Sequence, residues 1–303
     1  MLSKIEKNTR KLFHGIHSKH LAEKNSVSRL RALISSKKLG LSKNYLDNKR
    51  CLDAGCGSSF HGSINLLKMG AQEVVAIDLN KSIFSHVKRI KKVIPKNKKL
   101  TVKVASVLKL PFENETFDFV LCQGVMHHTT NPEKAVKECY RVLKKGGYAY
   151  FQICGKGGIV QEFLMDFLRK QYKEDILIKK FFKDLNKIKF TQFINKIKSK
   201  IKRNKSLETK ATLQFLNSLI TLVDDDLILT VQDRVLSPLY YQYNFSEVSK
   251  LMKKCKFKSI KRVFTYPSYK NLRNTVAYYY NKPNDKISKL LYGSGLINVL
   301  CKK

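Results

Sequence analysis

Short apolar runs alternate with longer stretches in which apolar positions recur every three or four residues through the first half of the chain. The runs Arg50 to Ala54, Glu73 to Ile77, Leu100 to Ala105 and Phe117 to Cys122 are β-like in character, and Tyr148 to Cys154 follows the turn Gly146-Gly147. Strands separated by helical segments predict βαβ units, hence a parallel sheet with helices on both faces. The helix between the fourth and fifth strands is well marked. Asn131 and Pro132 open it, Ala135, Val136, Cys139 and Val142 line one face, and Gly146 stops it.

After Cys154 the period becomes helical as far as about Asp224, with apolar positions such as Phe163, Phe167, Leu168, Phe181, Phe182 and Leu185. This stretch predicts an inserted helical subdomain. Phe245 to Lys254 then reads as a helix, Phe257 to Tyr266 and Arg273 to Tyr280 as two strands, and Asp285 to Lys303 as a short amphipathic helix or tail. The expected organisation is an N-terminal part and sheet core over 1–154 and a helical cap over 155–244. The core resumes over 245–283, and 284–303 is a tail.

Charge adds a question that the pattern alone does not raise. Lys and Arg number 60 against 23 Asp and Glu, a net charge of +37. Such a balance fits an anionic partner (RNA, a membrane surface or an acidic glycan). It equally fits a compositional bias toward Lys, Asn and Ile, because Arg, the residue that forks onto phosphates, is comparatively scarce. The basic run Lys196 to Lys205 carries the same two readings, a solvated helix face or an anionic docking surface. The stretch from Phe215 to Val231 is broken by Asp224, Asp225 and Asp226, so no membrane span is expected. Met1 to Phe13 lacks the apolar run of a signal peptide, and the expected location is cytoplasmic. Seven cysteines without a CxxC pair read as free thiols, and no metal site is expected.

The first strand ends at Asp53 and runs into Gly55-Cys56-Gly57 before a helix from about Gly62. Glycines let the backbone pass close beneath a ligand, and the following helix start offers unpaired N–H groups to a carboxylate or phosphate. A dinucleotide fingerprint needs a third Gly where this chain has Phe60. An acid at Asp53 also suits a cationic group better than a pyrophosphate. The second strand ends at Asp78, placed to accept from two ribose hydroxyls.

Leu52-Asp53-Ala54-Gly55-Cys56-Gly57, Asp78, Leu110-Pro111-Phe112, Phe117-Asp118-Phe119-Val120, His127-His128 and Arg141-Val142-Leu143-Lys144-Lys145-Gly146-Gly147 fall in one order. Over residues 48–155 the chain thereby resembles the class I S-adenosylmethionine (SAM)-dependent methyltransferases of the type 11 branch, which includes quinone-biosynthesis enzymes. The resemblance implies an α/β fold: a seven-stranded, mostly parallel Rossmann-like sheet with an antiparallel last strand, to which the helical insertion is added. It implies that Asp53 and the backbone of Gly55, Cys56 and Gly57 hold the methionine part of SAM. Asp78 would hold the ribose and Leu79 pack on adenine, with Ser106 and Val107 at the adenine edge. Cys122, Gln123 and Gly124 would lie beside the sulfonium. Two positions depart from the family pattern. Ser59 replaces a third loop Gly, and Ser106 replaces the acid that accepts from the adenine amino group, so weaker SAM binding is expected.

For catalysis, His127 and His128 follow the fourth strand on the side where ligands bind in such folds. Either suits removal of a proton from a hydroxyl acceptor near neutral pH, with His127 favoured; both also read as residues that shape the loop. His127, Asp233, Tyr240 and Tyr241 are the candidate substrate contacts, the last three from the polar-aromatic segment Asp233 to Tyr243, which packing alone would equally explain. His14, His17 and His20 recur at helical spacing near the N-terminus. They fit a helix folded over the cofactor with His20 near its carboxylate, or an ordinary amphipathic face. Three functions follow. The chain methylates a small-molecule, lipid or glycan acceptor, or RNA or protein through its basic surface, or it binds SAM without catalysis. Against amino-directed nucleic-acid methylation, the fourth strand leads into Cys122-Gln123-Gly124-Val125 and lacks an Asn/Asp-Pro-Pro-Tyr sequence.

Overall fold

The computed structural model describes residues 3–22, 34–201, 206–222, 225–263 and 285–303. Its sheet is built from β1 (Arg50–Ala54), β2 (Glu73–Asp78), β3 (Lys99–Val104), β4 (Phe117–Gln123), β5 (Leu143–Cys154), β6 (Ser259–Arg262) and β7 (Leu296–Lys302). The strand order is β3-β2-β1-β4-β5-β7-β6. Strands β1 to β5 pair in parallel, while β7 runs antiparallel to both β5 and β6. This is the expected seven-stranded, mostly parallel, Rossmann-like α/β architecture. The order in which successive strands are laid down reverses between β1 and β4, which leaves a crevice at the carboxyl ends of those two strands.

Period-two alternation sends successive residues to opposite faces of the sheet. On one face Leu52, Ala54, Val75, Ile77, Val120 and Cys122 join the apolar faces of α5 (Pro132–Val142) and α12 (Phe245–Lys254). On the other face Cys51, Val74, Ala76, Phe119 and Leu121 pack with α2 (Ser36–Leu39), α3 (His61–Lys68) and α4 (Phe84–Lys91). Asp53 alternates to that second face, beneath α3. Helix α5 forms as the sequence predicts. The Asn131 side chain accepts from the Lys134 N–H, Pro132 sits in the first turn, and Ala135, Val136, Cys139 and Val142 are buried. Asn244 and Glu247 close a capping box on α12.

Two expectations change. Helix α5 ends at Val142, and β5 begins at once at Leu143. Register shifts between the Phe117–Leu143 and Phe119–Tyr148 pairs, so Gly146 and Gly147 lie within a bulged strand. The region read as a tail, 284–303, supplies α13 (Lys286–Tyr292) and β7, and β7 is paired on both sides. Its Ile297, Val299 and Cys301 alternate into the core, and Asn298 accepts from the buried Tyr150 hydroxyl at 3.0 Å. The strand expected over Arg273 to Tyr280 lies outside the described residues.

The insertion is helical as expected. It contains α6 (Ile159–Glu162), a π turn (Phe163–Leu168), α7 (Arg169–Glu174), α8 (Ile176–Asp184), α9 (Lys187–Lys200), α10 (Leu207–Leu222) and α11 (Asp225–Leu236). Together with α1 (Lys4–Ala22), α11 covers the crevice side of the sheet, and Phe13 of α1 packs edge-on against His128. Among the described residues, no helix is long and apolar enough to cross a membrane.

Candidate active site

The floor of the site is the loop after β1. Gly55 has φ +98°, and a Cβ there would meet Val125 Cγ2 at 2.3 Å, so glycine is required both by conformation and by space. The Gly55 and Cys56 N–H groups donate to the Ile77 carbonyl at 2.9 Å, and the Gly57 N–H donates to Asp78 Oδ2 at 3.0 Å. The loop and the end of β2 are therefore one unit. Asp78 Oδ1 also accepts from the Asn80 N–H, each oxygen retaining a lone pair for a further donor. Beyond β4, Gly124 has φ +71°, and a Cβ there would meet nothing within 4 Å, so the backbone beside Gln123 borders open space.

Asp53 sits differently from the expectation of direct ligand contact. It is 2% exposed, and Ser63 donates to it through both its hydroxyl, at 2.6 Å, and its backbone N–H. The carboxylate thus fixes the first turn of α3, whose N-cap, Phe60, is in the left-handed region and offers no side-chain acceptor. Burial pushes the Asp53 pKa up to about 6, with Asp78 adding to the rise and the Ser63 bonds opposing it. Ser58 is buried nearby, its hydroxyl lacking a hydrogen-bond partner. A cradle of open backbone with one buried acid, one half-buried acid and an orphaned hydroxyl fits the cationic, hydroxyl-bearing SAM expected from the sequence. Ser106, expected at the adenine edge, uses its hydroxyl to accept from the Leu108 N–H, while Val107 is buried in the core and Leu79 is half-buried.

The structure also explains why distant sequence motifs travel together. Arg141 donates to the carbonyls of Leu110 and Phe112 while pairing with Glu138, which in turn accepts from the Leu110 N–H. The Leu110-Pro111-Phe112 loop is thereby clamped to α5. Asp118 accepts from the Arg50 N–H and from Lys144 Nζ, joining the starts of β1, β4 and β5.

Above the loop, His127, His128, Asp233 and Tyr240 come together, while Tyr241 does not join them by its side chain. His128 Nδ1 lies 3.0 Å from Ser237 Oγ and 3.1 Å from the Leu239 carbonyl. Ser237 already donates its proton to that carbonyl at 2.6 Å. A carbonyl only accepts, so Nδ1 carries the proton in neutral His128, and Nε2 presents a lone pair. That lone pair faces Asp233 Oδ1 at 3.6 Å, and this buried oxygen has no hydrogen-bond donor. Two acceptors therefore face one another, and a proton arriving at Nε2 would lie against the Asp233 carboxylate. Burial lowers the His128 pKa, partly offset by Asp233. His127 is held well below its ordinary value by burial, with His128 and Arg234 adding to the effect, and its Nδ1 has no partner. Both imidazoles meet the Tyr240 ring edge-on, and the Tyr240 hydroxyl lies against Cys154 Sγ. Tyr241 donates its N–H to the His127 carbonyl at 2.9 Å, but its ring is exposed.

One contributor carries no signal in the sequence. Arg169, just after the π turn, donates to the carbonyls of Arg234 and Pro238 and pins the end of α11. His14 of α1 lies 3.0 Å from Ser82 Oγ, just beyond Asp78. Helix α1 therefore reaches Ser82, just beyond the end of β2, through His14, and His128, after β4, through Phe13. The side chains of His17 and His20 lie outside the described residues.

With this geometry in view, residues 52–151 match the family model described as a methyltransferase domain. The chain is 29% identical over 108 residues to the ubiquinone biosynthesis O-methyltransferase of Aliivibrio fischeri, covering 36% of this chain and 45% of that protein. It is 30% identical over 105 residues to the tRNA U34 carboxymethyltransferase of Campylobacter fetus, covering 35% of this chain and 36% of that protein. The chain thus spans less than half the length of either relative. Among solved structures, the methyltransferase in complex with the Trm112 methyltransferase activator of Haloferax volcanii shares the fold. That likeness has a TM-score of 0.52 at 10% identity, covering 97% of this chain and 96% of that one.

Proposed function

We propose that this chain, whose residues 52–151 are a class I SAM-dependent methyltransferase domain of the type 11 branch, methylates a hydroxyl of a small-molecule, lipid or glycan acceptor. The observation that carries the proposal is the enclosure of His128. Its Nε2 faces Asp233 within a wall of Phe13, His127 and Tyr240 rings, beneath α1 and α11. A ring-lined, covered space suits a compact acceptor.

SAM, when bound, supplies an electrophilic methyl group. The chain supplies position, because an in-line displacement depends chiefly on alignment. Gly55, Cys56 and Gly57 would give the amino-acid end of the cofactor a backbone bed, Asp78 would accept from the ribose hydroxyls, and the backbone of Cys122, with Gln123 and Gly124, would flank the methyl. Leu79, Ser106 and Val107 border the adenine. Asp53 acts one step back, holding α3 against the loop.

We assign the base to His128 in preference to His127. Its Nδ1–H is tied to the Leu239 carbonyl, which orients Nε2 toward the acceptor hydroxyl, and Asp233 stabilises the imidazolium that forms. His127 and Tyr240 act as packing walls for the acceptor. Similarity to a ubiquinone biosynthesis O-methyltransferase supports an oxygen acceptor. An RNA or protein acceptor is the second reading, favoured by the net charge of +37 and by similarity to a tRNA U34 carboxymethyltransferase.

Release of S-adenosylhomocysteine across a panel of hydroxylated acceptors and mixed RNA tests the proposal. Turnover with a hydroxylated small molecule, abolished in His128→Asn but retained in His127→Asn, is expected. Turnover confined to RNA, with binding that falls steeply as salt rises, would overturn it.

A further inference from the structure

The helical insertion has two apolar sides, and among the described residues only one of them is covered. Phe182 and Ile194 turn inward and are buried, and Gln232 of α11 donates to the carbonyls of Phe182 and Leu185, fastening α8 to the cap. On the outer side Ile176, Leu177, Phe181, Ile188 and Phe193 are 45% to 79% exposed. Among the described residues, ten of the seventeen exposed large apolar residues fall within residues 159–215, so the exposure is concentrated in this insertion. A helix that is apolar on opposite sides needs a cover for the second one. Leu177 and Phe181 of α8 face Phe190 and Phe193 of α9 across a groove of ≈ 340 Å³, with Lys180 and Lys189 in its lining. The Phe181 and Phe193 ring centroids are 6.4 Å apart.

The charge around this groove is predominantly positive, and its cations are all of one kind. Residues 176–200 hold eight Lys, one Asp and no Arg. Nucleic-acid surfaces favour Arg, which forks onto phosphate and stacks on bases. Aliphatic and Phe side chains surrounded by Lys instead match an interfacial helix, with its apolar face among acyl chains and ammonium groups at the anionic headgroups. We propose that the outer face of α8 and α9 docks on an anionic lipid bilayer surface. The inference does not depend on the methyl-transfer reading, since docking requires neither SAM nor His128.

Flotation of the full chain with phosphatidylcholine vesicles, with or without phosphatidylserine, tests it in about 0.15 M salt. The chain is expected to float with the phosphatidylserine-containing vesicles and remain behind with phosphatidylcholine alone. Leu177→Ser with Phe181→Ser should weaken binding about tenfold or more. Lys180→Gln with Lys189→Gln should weaken it roughly thirtyfold and flatten its salt dependence. Both pairs change exposed positions, and unchanged far-ultraviolet circular dichroism and melting confirm that each variant folds. Vesicle binding indifferent to the apolar pair would overturn the proposal. So would RNA that displaces vesicles yet binds the Leu177→Ser/Phe181→Ser variant undiminished, or a dimer that this variant dissociates.

Discussion

Asp53→Asn separates what the fold wants from what the ligand wants. In the free protein the Asp53 carboxyl is raised from 3.8 to about 6, chiefly by burial. Ionising it inside the protein therefore costs about 3 kcal/mol more than in the unfolded chain. The sign follows from linkage: a folded-state pKa above the unfolded one contributes stability at low pH that is lost as pH rises through about 6. Asparagine keeps an oxygen for Ser63 and removes the charge. At about pH 7.5 the variant should be more stable by about 3 kcal/mol, a rise in melting temperature of about 5 °C. At about pH 4 the folded carboxyl is protonated and the unfolded one is only about half ionised, so the difference should fall below about 1 kcal/mol. Binding should move oppositely. An ammonium-bearing ligand compensates the buried carboxylate, so S-adenosylhomocysteine affinity should drop about tenfold or more in the variant. Thermal melts at both pH values and isothermal titration calorimetry read the two effects. A variant less stable than wild type at neutral pH, or a difference that persists undiminished in acid, would refute the reasoning.

Gly55→Ala places a methyl against Val125 and strains a positive-φ residue. It should cost about 2–4 kcal/mol and abolish cofactor binding, read by urea melts and titration. Asp233→Asn removes the group that raises the His128 pKa, so the acid limb of the pH–rate profile should move to lower pH while plateau turnover falls; an unmoved limb would exclude His128 as the titrating base. Arg141→Gln breaks the clamp on Leu110 and Phe112 and should destabilise the chain by about 2–4 kcal/mol, with raised hydrogen exchange in that loop as the signature.

Strands β1, β2, β4 and β5 were legible because each is a short apolar run bounded by Gly or Asp, β3 because of its β-branched, alternating character, and α5 because its cap and its buried stripe are both local. The Asp53 loop, Asp78 and the two histidines were legible because β1, β2 and β4 end side by side in the sheet. The rest depends on distance along the chain. Strand β7 has a short apolar core between Gly295 and Lys302, and only its pairing with β5 and β6 distinguishes it from a tail. The segment Asp233 to Tyr243 stood out in the sequence, yet its bonds to His128 span more than a hundred residues, and no periodicity encodes them. Phe13 and Arg169 bear on the site only through the packing of helices whose order in the chain says nothing of their contacts. Ser63, by contrast, was readable: an acid ending a strand one turn before a helix start is a plausible-range partner for a first-turn serine.

The position of β7 also sets an order of events during folding. The loop, Asp78 and the histidine turn belong to pairings that close locally, as each βα unit is made. The β7 side of β5 must wait until the chain has passed through the whole insertion, from Cys154 to Leu296. Until then an edge carrying Ala149, Phe151 and Ile153 stands unpaired, a template for another nascent chain. In a cell, the yield of this protein is therefore governed by how that edge is shielded while residues 155–295 are synthesised, and changes that speed β7 docking should raise soluble yield without altering the finished site.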